Sequence, residues 1–191
     1  MKTIHRLSFV AILLLLSAGM RAADHLKLVD GDFCMLFQKD KSVKVTFSYD
    51  DLKIENQSFE HYCKGREKGY AEIFQAEKQA AEKAFKAKWR KVMVKGLTIA
   101  DQSAADYSLR IQIHELDLGS NAAGIWGIRT ADGGALMWGT LTLVDRSGRA
   151  VLDVTIDGLR GLGNNGIIFY KEGNRLKKVY EKLAIKLCEK D

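Results

Sequence analysis

The chain has 191 residues, 47% of them apolar, a formal net charge of +6 and no proline. That length suits one domain with a sizeable core. The ordinary apolar fraction excludes a disordered or fibrous chain, and no repeat, low-complexity tract or linker divides the sequence.

Lys2, His5 and Arg6 precede an apolar run over residues 7–16, and Ser17, Ala18, Gly19, Ala22 and Ala23 follow it. This is the charged start, apolar middle and small-residue exit of a secretory signal peptide. The run is too short to span a bilayer, which takes about 20 apolar residues. Residues 1–22 are therefore expected to be removed after Gly19 or Ala22. What remains is a single domain over 23–191, periplasmic or secreted, with no transmembrane helix. The first cysteine, Cys34, lies too far downstream to become a lipidated first residue. The leader holds Lys2, Arg6 and Arg21 and no acid, so its loss leaves a charge of +3. A mildly basic exported protein gives little reason to invoke nucleic acid.

The cysteines are Cys34, Cys63 and Cys188. Exported thiols usually pair, so one bridge and one remaining thiol are expected. Cys34 and Cys63 are the closest in sequence and form the tentative pair, although spacing alone does not derive connectivity. No C-x-x-C spacing supports a zinc or redox site.

In chain order, residues 32–38 (DFCMLFQ) read as a short apolar strand. Residues 42–55 alternate, with Val43, Val45, Phe47 and Tyr49 opposed to Lys44, Thr46 and Ser48, which predicts a half-buried strand. Leu52 and Ile54 continue it past a bulge or turn at Asp50 and Asp51. Over residues 65–94 the period becomes helical. Tyr70, Phe74, Glu77, Ala81, Ala84, Phe85, Lys88 and Val92 form a stripe that Ile73 and Trp89 widen, and Gly96 ends the helix. Its charges are mixed in sign, which reads as a solvated face.

Residues 106–118 are the clearest strand, with a bulge where the alternation slips towards Leu116 and Leu118. Residues 135–145 and 150–157 alternate again around a tight turn at Arg146-Ser147-Gly148-Arg149, with Gly148 placed for positive φ. Residues 174–188 form an amphipathic helix through Leu176, Val179, Tyr180, Leu183 and Leu187. The order is β-β-α-β-β-β-α, with room for one extra strand near residues 97–100. The expected fold is α+β: a mostly antiparallel sheet of five to six strands, with two amphipathic helices packed on one face.

The two longest glycine-rich loops, 119–134 and 158–173, leave the same end of this sheet. Long loops in a compact domain are uncommon and often functional. They supply the candidate binding residues Asn121, Ile125, Trp126, Ile128, Arg129, Asp132, Arg160, Asn164 and Asn165. Apolar tips beside hydrogen-bonding groups suit recognition of a partner; the competing reading is that Trp126 and the isoleucines cap the core. Gly161, Gly163 and Gly166 match G-x-G-x-x-G, but follow a strand of an antiparallel hairpin with no second parallel strand to come, so no nucleotide cofactor is expected. His61, and His114 with Glu115 and Asp117, are the only conceivable acid–base or metal groups, and no G-x-S-x-G, H-E-x-x-H or EF-hand pattern accompanies them. No catalytic residue, metal ligand or cofactor is assigned.

Ala105-Asp106-Tyr107-Ser108-Leu109, the Gly/Ala-rich stretch 119–134, and residues 141–151 with Asp145 and Gly148 resemble a group of bacterial envelope domains of unknown function. These domains look similar to the N-terminal α/β domain of TolB and the periplasmic part of CsgG. The resemblance covers about a third of the chain and implies an envelope location and a role in binding or assembly. The leading reading is a non-catalytic binding or assembly module of the cell envelope. Its partner would be an envelope protein or a second copy of the chain, with peripheral membrane contact open. The alternative is a periplasmic hydrolase acting on an envelope polymer.

Overall fold

The computed structural model describes residues 25–100, 105–119, 134–161 and 172–190. Strand β1 (Leu26–Gly31) leads through a 3-10 helix (Phe33–Phe37) to β2 (Ser42–Ser48), then to the short strands β3 (Lys53–Ile54) and β4 (Gln57–Ser58). Helices α1 (Phe59–Lys64) and α2 (Tyr70–Val92) follow, then β5 (Thr98–Ile99). β6 (Tyr107–Asp117), β7 (Leu136–Asp145) and β8 (Ala150–Arg160) form a meander, and α3 (Glu172–Cys188) closes the order.

The eight strands make one mixed sheet in the order β1-β8-β7-β6-β2-β5, with β3 beside β6 and β4 beside β3. This corrects the expected antiparallel sheet of five to six strands with two helices. The meander and β1 are antiparallel. β2 runs parallel to β6, Val43 beside Tyr107 through Ser48 beside Gln112, and parallel to β5. The reason is the crossover: α1 and α2 return the chain to the end where β2 began, so β6 must enter in the same direction. Alternation along β2 and β6 reports that only one face of the sheet is covered, whatever the strand direction.

That covered face holds the core. Val45, Leu109, Ile111, Leu141, Leu143, Leu152 and Val154 pack there with Phe74, Phe85 and Trp89 of α2 and Leu176, Tyr180 and Leu183 of α3. On the other face Lys44, Thr46, Arg110 and His114 are exposed. The expected bulge in β6 is present between Ile113 and Glu115. It falls where β7 places Gly139 opposite: a Cβ there would lie 2.2 Å from the Gln112 carbonyl oxygen.

Two more expectations change. Residues 33–37 are a 3-10 helix because Asp32 caps them, its Oδ1 accepting the Cys34 N–H at 2.8 Å, and of these five residues only Leu36 is buried. No disulfide joins Cys34 to Cys63. Tyr62, next to Cys63, packs its ring 5.9 Å from Tyr70 at the start of α2. Leu36, near Cys34, accepts the Leu97 N–H at 2.9 Å beyond the far end of α2. The length of the 23-residue helix α2 lies between the two cysteines in space, roughly 35 Å at 1.5 Å per residue, whereas a bridge needs Cα atoms within about 7 Å.

The motifs behind the envelope resemblance have structural work at the amino end of β6. Asp106 Oδ2 accepts the Ser42 N–H at 2.9 Å and its hydroxyl at 3.0 Å, tying β6 to β2, with Arg146 3.1 Å from Oδ1. Asp145 Oδ1 accepts from the Ser147 N–H (2.9 Å), the Ser147 hydroxyl (2.6 Å) and the Arg149 N–H (3.1 Å). Gly148 at φ 86° completes that turn.

Two predictions follow from these contacts. Gly139→Ala is expected to cost about 3 kcal/mol, because its methyl meets backbone in the middle of the sheet; urea unfolding would show a lowered midpoint with an unchanged slope. The Ser42 hydrogen bonds, then Lys41 and Arg146, hold the Asp106 carboxyl below the usual aspartate range. A depressed carboxyl contributes stability that is full above its unfolded pKa of about 3.9 and is lost as pH falls through the folded value. Thermal midpoints should therefore drop below about pH 4, and Asp106→Asn should flatten part of that drop.

Candidate functional site

The last residues of the meander lie in one row, Asp117 beside Leu136 beside Arg160. The chain thus leaves β6, re-enters β7 and leaves β8 at the same end of the sheet. The stems touch there: the Gly161 N–H donates to the Ala135 carbonyl at 2.8 Å. A Cβ on Gly134 would stand 2.9 Å from the Gly161 carbonyl oxygen, and one on Gly161 would stand 2.9 Å from the Val179 nitrogen of α3. Arg175, 7% exposed, donates from Nε to the Leu118 carbonyl and locks the first turns of α3 to the end of β6. Of the residues the sequence singled out, Arg160 is described, exposed at the end of β8. Asn121, Ile125, Trp126, Ile128, Arg129, Asp132, Asn164 and Asn165 lie outside the described residues.

The same end carries a cleft of about 630 Å³ that the sequence reading did not find. β2 stops at Ser48, and a turn closed by the Leu52 N–H on the Tyr49 carbonyl at 3.2 Å interrupts it. β3 then resumes alongside β6, Ile54 beside Leu116. Asp51 (φ 57°), Glu55 (φ 52°) and Asn56 (φ 63°) all adopt the left-handed conformation, which costs a non-glycine residue on the order of 1–2 kcal/mol. Such strain gathers where surrounding structure over-determines the backbone, often at ligand sites. Ser58 caps α1, its Oγ accepting the His61 N–H at 3.3 Å, and returns the chain to the cleft wall.

The floor is apolar: Leu52, Phe59 and Phe74, with the last two rings 5.2 Å apart. The rim is polar and of mixed charge: Asp50, Asp51, Lys53, Ser58, Gln75 and Lys78. The Lys78 ammonium sits 4.1 Å over the Tyr49 ring, and burial lowers its pKa against the opposing pull of Glu82. Below it Tyr49 donates to Glu82 Oε1 at 2.8 Å. Its one proton is thereby committed, so in the 2.9 Å contact between the hydroxyls of Tyr49 and Tyr180 the donor is Tyr180. Burial, then the neighbouring Tyr180 and Glu82, keeps the Tyr49 hydroxyl protonated far above the usual tyrosine range; burial raises Tyr180 too. This chain of three joins the turn after β2 to α2 and α3 behind the cleft. An apolar floor with a few convergent polar groups is the general form of a site for a small ligand or a peptide segment.

His61 and His114 are exposed, on α1 and on β6, and neither lines this cleft. Among the described residues no group of three His, Cys, Asp or Glu side chains could hold a metal ion, and no helix is long and apolar enough to cross a membrane. Tyr49→Phe is expected to cost about 1–2 kcal/mol in chemical denaturation, since it strips Glu82 of its donor and Tyr180 of its acceptor.

No protein-family model matches the chain, and no curated protein does. Among solved structures it is similar to a PelC dodecamer from Paraburkholderia phytofirmans carrying one Leu-to-Met substitution. That match has 18% identity over 85% of this chain and 95% of that one, with a TM-score of 0.40. A second crystal form of the PelC dodecamer gives 17% identity, 83% and 94% coverage and a TM-score of 0.40.

Proposed function

We infer that this protein is a non-catalytic binding module of the cell envelope that captures its partner at the end of the sheet where β2, β6 and β8 finish. The observation that supports this most is the cleft itself. An aromatic floor, a mixed-charge rim and left-handed backbone at Asp51, Glu55 and Asn56 stand beside the stems of the two long loops. Export is supported by the leader-like residues 1–22 and by the envelope-domain resemblance of residues 105–158. The partner's chemistry follows from the rim: a segment with one apolar side chain for Phe59 and Phe74, flanked by groups able to meet both Asp51 and Lys78.

Gln75 is exposed on α2 at the cleft edge. Gln75→Trp should fill the cleft while changing stability by less than about 0.5 kcal/mol, as surface substitutions usually do. The mature protein is expected to co-sediment with a detergent-washed, lipid-free envelope fraction or to self-associate in analytical ultracentrifugation, and the Gln75→Trp form to do neither. A wild-type monomer that stays in the supernatant would sink the reading. Release of soluble fragments from purified peptidoglycan, abolished by His114→Ala or His61→Ala, would favour the hydrolase instead.

A further inference from the structure

The charges of α2 are mixed in sign over the whole helix, but they segregate along its length. The acids Glu72, Glu77 and Glu82 all lie in its first 13 residues. Glu82 is engaged by Tyr49 at 2.8 Å, and the Glu77 carboxyl lies against Gly173 at the start of α3, where a Cβ would come within 2.5 Å of it. Residues 83–95 then carry Lys83, Lys86, Lys88, Arg90, Lys91 and Lys95, with no acid among them.

Four lysines of this region converge on a shallow groove of about 420 Å³ between α2 and α3: Lys83, Lys88 and Lys91 from α2 and Lys177 from α3. The floor is Ala80, Ala84 and Ala87. The one acid on the groove, Glu181, is held by Lys178 at 3.0 Å, and among the described residues none of the four lysines has an ion pair. The helix dipole explains part of this pattern, since cations near a carboxyl terminus gain about 0.3–1 kcal/mol within the last turn. It covers Arg90 and Lys91. It does not cover Lys83, more than two turns from the end, nor Lys177, which sits in the amino-terminal half of α3, far from that helix's carboxyl terminus.

We propose that the groove between α2 and α3 seats the phosphate headgroups of an anionic lipid surface, with the helical layer lying against the membrane. Lysine ammoniums on flexible stems act as point charges for phosphate, and polybasic clusters of this size draw proteins to anionic leaflets. Val94, 81% exposed, lies three residues past Lys91 and is followed by Lys95. An apolar tip between snorkelling lysines suits the headgroup boundary. The groove offers no aromatic ring for a base to stack on, which disfavours single-stranded nucleic acid. This surface is separate from the end cleft, and its test does not depend on that reading.

The test is co-sedimentation of the mature protein with vesicles of phosphatidylcholine alone and with 30 mol% phosphatidylglycerol, an anionic fraction on the order of that in charged natural leaflets. Binding is expected to the anionic vesicles only, and should weaken more than about tenfold at high salt. Lys83→Glu/Lys91→Glu/Lys177→Glu should lower the partition coefficient by about a hundredfold or more, at roughly 1 kcal/mol per charge near the surface. Val94→Asp should lower it by about threefold to tenfold through lost apolar contact, while Gln75→Trp leaves it unchanged. Should the triple Glu variant fail to melt cooperatively, the corresponding Gln variant takes its place.

Equal binding to neutral vesicles, no binding to anionic ones, or full binding by the lysine variant overturns the proposal. So does tighter binding of duplex DNA or polyuronate than of vesicles with Val94→Asp indistinguishable from wild type, which would assign the groove to a soluble polyanion.

Discussion

The structure depends on burying the aromatic stripe of α2 against one face of the sheet. Phe85 meets Phe47 of β2 edge-on at 5.4 Å and Trp89 at 5.7 Å, and Phe47 reaches Tyr180 of α3 at 5.5 Å. Trp89 is fully buried and still satisfied, its Nε1–H donating to the Leu97 carbonyl at 2.8 Å. Each such ring is worth on the order of 1.5–3 kcal/mol in area alone, so α2 can sit in only one rotation. That rotation decides the rest. It turns Gln75 and Lys78 to the cleft and Lys83, Ala87 and Lys91 to the outer groove.

The long periodic elements were legible because each has one covered face. β6, β7, β8, α2 and α3 all appear within a few residues of where apolar spacing puts them, and the slip at Leu116 and the turn at Gly148 were readable for the same reason. Direction was not legible. Val43, Val45 and Phe47 alternate with polar residues whether their neighbour runs up or down, since alternation records burial on one side. The short pieces failed for another reason. β1 buries only Leu26 of its six residues, too little to leave a period. In residues 32–38 the capping side chain of Asp32 outweighed a run of apolar neighbours. The Cys34–Cys63 pairing used sequence distance, and a 23-residue helix placed between the two makes sequence distance a poor guide to space.

The candidate site was legible only as a location. Counting strand ends was enough to bring the stems at Gly119, Gly134 and Gly161 together, because that reasoning needs the order of the meander and nothing finer. The cleft beside them draws Asp51 from a turn, Phe59 from α1 and Gln75 and Lys78 from α2, and no local pattern joins these residues. A weak signal did exist: Asp50-Asp51 and Glu55-Asn56 bracket a broken strand, the composition of two tight turns in succession. The segregation of charge on α2 was visible as the absence of any acid after Glu82, but a count over the whole helix averages it away.

The two ends of β6 show how such a sheet divides its labour. At the amino end the carboxylates of Asp106 and Asp145 are committed to structure: Asp106 to Ser42 and Arg146, Asp145 to its own turn. Those carboxylates are held ionised and immobile, so they have little capacity left for a ligand. At the carboxyl end the rim side chains of Asp50, Asp51, Lys53 and Gln75 are exposed, and the turns on either side of β3 place Asp51, Glu55 and Asn56 in the left-handed conformation. Parallel strands favour this arrangement, because their carboxyl ends open towards the start of the crossover helix and leave a crevice there. The cleft opens at that end because β2 stops at Ser48 and the chain passes through β3 and β4 to α1 instead of turning straight back along the sheet.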